Sequence, residues 1–201
     1  MPLTRLPLGT AVSGTLAATN GGTGVTSVDD IGNLVLLSTT TPTATRDIDI
    51  SLPSGYESYL IIGREIVTNT ASNEVDFYTT TDNFSSTDSS LESQRSYLRI
   101  DSAQSGTGNF DGYINLATNM GVNASDSCEF ELTMINPTTT RTTGYSITGH
   151  SVYGHDGDAH HYRYDHGARS QTSTVVDGIR LRCNSSTTFI AKGSIKIYGL
   201  R

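Results

Sequence analysis

Lysine is almost missing from this sequence: only Lys192 and Lys196 occur, no run of arginine compensates, and the net charge is −7. Such a chain lacks the basic footprint that neutralises phosphates, which sets nucleic-acid binding aside. No stretch approaches the roughly twenty consecutive apolar residues of a membrane-spanning helix. The opening MPLTRLPLGTAVSG has Pro2, Pro7 and Gly9 where a signal peptide needs an unbroken apolar run, so a soluble product without a cleaved export signal is expected. The two cysteines, Cys128 and Cys183, sit inside apolar alternating segments and read as small hydrophobes rather than as a disulfide. Helical periodicity is missing too: VDDIGN at 28–33 has room for one turn, and nothing after it repeats at helical spacing over a useful length.

Hydroxyl groups are abundant instead. Thirty Thr and 24 Ser accompany 20 Gly, a mixture of strand formers and turn formers. Short runs of strand character follow one another between turn clusters: 34–38, 46–53, 56–67, 74–81, 97–101, 112–117, 128–136, 142–153, 175–183 and 187–200. In DIDISL, Ile48, Ile50 and Leu52 share one face and Asp47, Asp49 and Ser51 the other, the mark of a strand with one wet face. Cys128, Phe130, Leu132 and Met134 alternate with Glu129, Glu131 and Thr133, and Ile179, Leu181 and Cys183 alternate with Arg180 and Arg182. The apolar sets are the expected core, and the acidic and basic faces are expected to pair across a sheet. DNFSSTDSSLESQ at 82–94 reads as a surface excursion, and Arg95 and Arg99 as surface charges. The fold class is all-β, an antiparallel β-sandwich of jelly-roll type, with barrel closure as the alternative.

Residues 1–33 differ from the rest. SGTLAATNGGTGVTS at 13–27 carries no charge and only Leu16 and Val25 as bulky aliphatic residues. Glycine loses much backbone entropy on ordering and these side chains bury little in return, so assembly must supply the order. The expected organisation is an extended attachment or stalk segment over 1–33 followed by a β-sandwich domain over 34–201.

The leader resembles the NGGTG segments of bacteriophage tail-fibre and other virion fibre proteins. LPSGYESYLIIGREI with VDFYTTTDNFSSTDSS, and the closing IRLRCNSSTTFIAKGSIKIYGLR, are similar to strand pairs and end strands of the same proteins. The resemblance covers three separated stretches, and it implies a homotrimeric virion protein that contacts the host surface. Virion attachment to a tail, baseplate or other particle protein would run through Leu16, Asn20, Gly21, Gly22, Gly24 and Val25. A single NGGTG segment without a repeat array implies a short fibre.

All five histidines fall between His150 and His166, beside Asp156, Asp158 and Asp165. Imidazole and carboxylate are metal ligands, but the helical HExxH spacing is absent, so no metal and no cofactor are assigned. Tyr153, His155, Asp156, His160, His161, Tyr162, Arg163 and Tyr164 include the groups that bind sugars, aromatic faces for C–H surfaces and polar ends for hydroxyls. Residues 150–169, read as a long loop, are therefore the expected host-glycan contact. No nucleophile elbow or Cys–His signature occurs, and Asp156 and Asp158 are indistinguishable from turn aspartates, so the chain is not expected to be an enzyme. Two competing readings are a purely structural baseplate or head-decoration protein and, last, a metal-dependent glycan hydrolase.

Overall fold

Strict alternation of apolar and polar residues builds two antiparallel sheets. The computed structural model describes residues 34–100, 105–122, 126–137, 144–154, 161–172, 174–184 and 187–200. The attachment residues expected between Leu16 and Val25 lie outside these, and a compact unit runs from Leu36 to Arg201. Its strands are β1 (Leu34–Thr40), β2 (Asp47–Ser51), β3 (Ser58–Ile66), β4 (Asn73–Thr80), β5 (Leu91–Arg99), β6 (Ser105–Asp111), β7 (Ile114–Met120), β8 (Cys128–Ile135), β9 (Tyr145–Gly154), β10 (His161–Ser170), β11 (Gly178–Cys183) and β12 (Ser194–Leu200). No α-helix occurs among the described residues.

The larger sheet has the order β1-β12-β3-β8-β9-β10-β5-β6 and the smaller one β2-β11-β4-β7. Strand β1 lies beside β12, β2 beside β11, β3 beside β8 and β4 beside β7, nested pairs that alternate between the sheets. That nesting is a jelly roll. Two hairpins are inserted into it, β5-β6 between β4 and β7 and β9-β10 between β8 and β11. Both extend the larger sheet beyond β8. The two sheets keep separate edges, so the barrel alternative falls away.

The expected apolar faces meet between the sheets. Tyr59, Ile61, Phe130, Leu132, Met134, Ile195 and Ile197 come from the larger sheet, and Ile48, Ile50, Val75, Phe77, Ile114, Leu116, Ile179 and Leu181 from the smaller. Burying each large aliphatic or aromatic side chain contributes about 1.5–3 kcal/mol. Both cysteines are free and buried. Gly63 faces Phe130 across the β3-β8 ladder, and a Cβ there would stand 2.1 Å from the phenyl ring, so a side chain on β3 would evict the aromatic.

Three expectations change. The basic face of β11 pairs with β2 rather than with the acidic face of β8: Arg180 and Arg182 make forked contacts to their register partners Asp49 (2.5 and 2.8 Å) and Asp47 (2.8 and 3.0 Å). The surface excursion ends before Leu91, where β5 begins. Residues 150–169 are no loop, because most of them form the β9-β10 hairpin.

Asp88 ties the excursion down. Its carboxylate accepts hydrogen bonds from the hydroxyls of Tyr145 (2.8 Å), Ser170 (2.7 Å) and Ser90 (2.6 Å) and from the Ser90 N–H (2.9 Å). Burial pushes the carboxyl up, but the bonds from Ser90, Ser170 and Tyr145 outweigh it and hold Asp88 below its ordinary range. Asp88→Ala should therefore cost about 2–4 kcal/mol in urea unfolding at pH 7, since it removes the shared acceptor of the buried Tyr145 and Ser170 hydroxyls and of the Ser90 N–H. A carboxyl with a lowered native pKa contributes stability above its unfolded pKa and loses it in acid, so the deficit should shrink as pH falls below 4.

Candidate functional site

The sheet's alternation divides the residues expected to contact the host. Tyr162 and Tyr164 on β10 point inward with His166, while His161, Arg163 and Asp165 point outward. Tyr153, the register partner of Tyr162, is 1% exposed. Its hydroxyl lies 2.5 Å from that of Tyr164, and its ring stacks on Tyr162 with centroids 5.7 Å apart. Burial, with Tyr164 second, pushes the Tyr153 hydroxyl pKa up, which keeps it a neutral hydrogen-bonding group. These rings, Tyr97, Arg95, Thr118 and Asn119 line a cavity of about 190 Å³. Arg163 and Asp165 form an outward ion pair at 3.0 Å, with both side chains more than half exposed, so it adds about 0.2–1 kcal/mol at most. His155, Asp156 and His160 lie outside the described residues.

Arg95 is not a surface charge. On the inward face of β5 its guanidinium sits 4.3 Å from the Tyr164 ring centre and 4.7 Å from that of Phe110. Its Nη1 donates to Asn115 Oδ1 and to Thr118 Oγ1, the latter at 2.9 Å. Asn115 in turn donates through Nδ2 to Asp76 Oδ1 at 2.8 Å. Burial pushes Asp76 up to about 7, against the pull of the Asn115 hydrogen bond.

Ser151 and His166 lie 2.9 Å apart but form no nucleophile and base. Ser151 is fully buried, and its hydroxyl donates to the Leu116 carbonyl at 2.6 Å. Its oxygen therefore accepts from His166 Nε2–H, and no proton is left for the imidazole to abstract. Burial, with the Arg95 charge second, pushes His166 down to about 4, so the ring is neutral. Among the described residues no three His, Cys, Asp or Glu side chains converge on a point that could hold an ion.

The other face of the inserted strands is open. A trough of about 750 Å³ lies over β10, β5 and β6. Its outward residues are Asp165, Gly167 and Arg169 on β10, Glu92, Gln94 and Ser96 on β5, and Thr107, Asn109 and Asp111 on β6. Strand pairing arranges them in rows: Gly167, Gln94 and Asn109 in one, Arg169, Glu92 and Asp111 in the next. Gln94 Nε2 donates to Asn109 Oδ1 at 3.3 Å. Amides, carboxylates and a guanidinium together offer donors and acceptors for a hydroxyl-rich ligand. Sequence reasoning missed this surface because SGTGNFD shows no apolar alternation and is assigned to no strand, and HYRYDHGARS reads as a loop. The alternation of Tyr162, Tyr164, His166 and Ala168 with Arg163, Asp165, Gly167 and Arg169 was the available signal. No protein-family model, curated protein or solved structure matches the chain.

Asp76 and His166 make the support of this region depend on pH in opposite directions. Folded Asp76 keeps its proton up to about pH 7 whereas an unfolded aspartate releases it near 3.8, so its contribution falls as pH rises through that window. Unfolded histidine binds a proton near 6.5 and folded His166 only near 4, so its contribution falls as pH drops. Asp76→Asn removes the first slope. Relative to the wild type, the variant should gain roughly 2–4 kcal/mol between pH 4.5 and 7.5 in urea unfolding, at about 1.4 kcal/mol per pH unit. A difference that stays constant over that range would show that Asp76 does not titrate there.

Proposed function

We propose that the chain is a short bacteriophage fibre protein, attached to the virion through its N-terminal segment and contacting host-surface glycan through the β-domain. The observation that carries this reading is the concave polar surface on β10, β5 and β6. A jelly roll closes without these strands, and they add a hydrogen-bonding trough of ligand size on a rigid scaffold. The sequence resemblance to virion fibre proteins supports the particle context. The inward packing of Tyr153 and Tyr164 moves the expected contact from the aromatic side of β9-β10 to its polar side.

Support for a homotrimer comes from the other half of the same sheet face. Leu60 and Ile62 on β3, Tyr198 and Leu200 on β12, and Ile135 on β8 share the outward side. Ile135 remains 39% exposed, and an apolar group of this kind suits packing against another copy. In light scattering the full chain should have three times its 21.5 kDa monomer mass, and Ile135→Glu should lower that mass. A monomeric wild-type chain would remove the trimer.

Antibody to the chain should label phage particles, and the purified chain added to host cells should slow phage adsorption. Labelling without an effect on adsorption would favour the purely structural reading. Absence of both labelling and an effect on adsorption would overturn the fibre assignment.

A further inference from the structure

We infer that the trough over Gly167 binds a neutral oligosaccharide. This rests on the host-contact reading and gives that contact its ligand class. Gly167 lies within the ten-residue strand β10, where a glycine weakens the strand and is usually retained for a positive φ or for close packing. Neither holds here. The backbone is ordinary strand, and nothing lies within 4 Å of where a Cβ would stand. At Gly149 on the neighbouring strand, by contrast, a Cβ would come within 2.0 Å of the Glu131 carbonyl oxygen. What the missing side chain at Gly167 does is lower the floor of the trough.

The side chains around that floor decide the ligand. Gln94 and Asn109 continue the Gly167 row and present amide N–H and C=O groups, a pairing that meets a sugar hydroxyl both as donor and as acceptor. Asp165 and Arg169 stand two residues to either side of Gly167 on the same face. Glu92 and Asp111 extend the row of Arg169, so the lining holds three carboxylates against two guanidiniums, Arg169 on the outward side and Arg95 from the inward face, and Asp165 is also paired with Arg163. The acidic balance of the outward row, Glu92 and Asp111 against Arg169, on a chain of net charge −7, disfavours uronate, sialate and phosphate groups. The outward side chains of the lining are all polar, with Phe110 and Ala168 reaching it from the inward face, so the polar groups are the ones placed to orient a ligand. The volume of about 750 Å³ is larger than one sugar ring needs.

The full chain is applied to a panel of immobilised neutral hexose and N-acetylhexosamine oligosaccharides, alongside matched glycans bearing uronate or sialate. Gly167→Val, Asn109→Ala and the wild type are compared on the same panel, with thermal unfolding of each. Binding to neutral glycans is expected, at least tenfold stronger than to the acidic counterparts. Gly167→Val should lose at least tenfold in affinity while its Tm stays equal or rises, because valine favours the strand and meets no neighbour. Asn109→Ala should weaken binding without lowering Tm, which separates ligand contact from folding. Neutral-glycan binding that survives both substitutions would overturn the trough as the site while keeping the host-contact reading. Preference for acidic glycans would overturn the ligand class. If the chain slows phage adsorption yet binds no glycan on the panel, this inference fails and the host-contact reading stands; if it does neither, both fail.

Discussion

A sheet of eight strands packed on a sheet of four leaves part of its inner face to be covered by something other than its partner sheet, and in this molecule Arg95 supplies much of that cover. Its guanidinium lies against Phe110 of β6 and Tyr164 of β10, and its hydrogen bonds reach Asn115 and Thr118 on β7, the edge strand of the smaller sheet. One side chain thus joins both inserted hairpins to the jelly roll. Each ring contact is worth about 0.5–2 kcal/mol and each hydrogen bond to a charged group about 1.5–3. These terms compete well with the exposed Arg163–Asp165 pair, so the inward side of β10 fixes the hairpin and its outward side is left free for other work.

Among the described residues the charge at Arg95 has no direct carboxylate partner in its hydrogen bonds. Asn115 stands between it and Asp76, and burial raises Asp76 enough that the carboxyl is partly protonated near neutrality. The cation is thus held mainly by ring faces and neutral oxygens. His166, on the same inward face, is kept neutral by burial and by the Arg95 charge, and its Nδ1 is buried without a hydrogen-bond partner. A polar interior of this kind costs stability, because unpaired buried groups are expensive and titrating ones are conditional. The jelly-roll core, lined by large aliphatic and aromatic side chains, offsets that cost.

The jelly-roll half was legible in the sequence because its strands alternate cleanly. DIDIS, CEFELTMI and GIRLRC each show one apolar face, and each became a strand with that face buried. The inserted half was not, because its inward residues are tyrosine, histidine, arginine and glycine rather than aliphatics. Gly106 and Gly108 on β6 stand opposite Tyr97 and Arg95, and a Cβ on Gly106 would come within 2.5 Å of the Tyr97 ring. Large side chains on β5 thus force small ones on β6, which leaves SGTGNFD without the apolar alternation of a strand. The same effect hid the trough: only after β6 and β10 are known to be strands do Gln94, Asn109 and Gly167 fall in one row.

Division of one sheet face into two characters follows from where the chain was extended. On β12, β3 and β8 the outward residues include Tyr198, Leu200, Leu60, Ile62 and Ile135, whereas on β10, β5 and β6 the trough is lined by amides, carboxylates and a guanidinium. The change falls near β9, whose outward Ser146, Thr148 and His150 are small or polar. Apolar outward positions on a central strand such as β3 are stable only if something covers them or if their number stays small, whereas polar ones need no cover. The proposed assembly therefore has a physical basis for its orientation. Copies packing through Leu60, Ile62, Tyr198, Leu200 and Ile135 would leave the trough facing solvent, with Glu129 held by Arg64 on the same face, whereas packing through the trough would bring its carboxylates against like charges of the neighbouring copy.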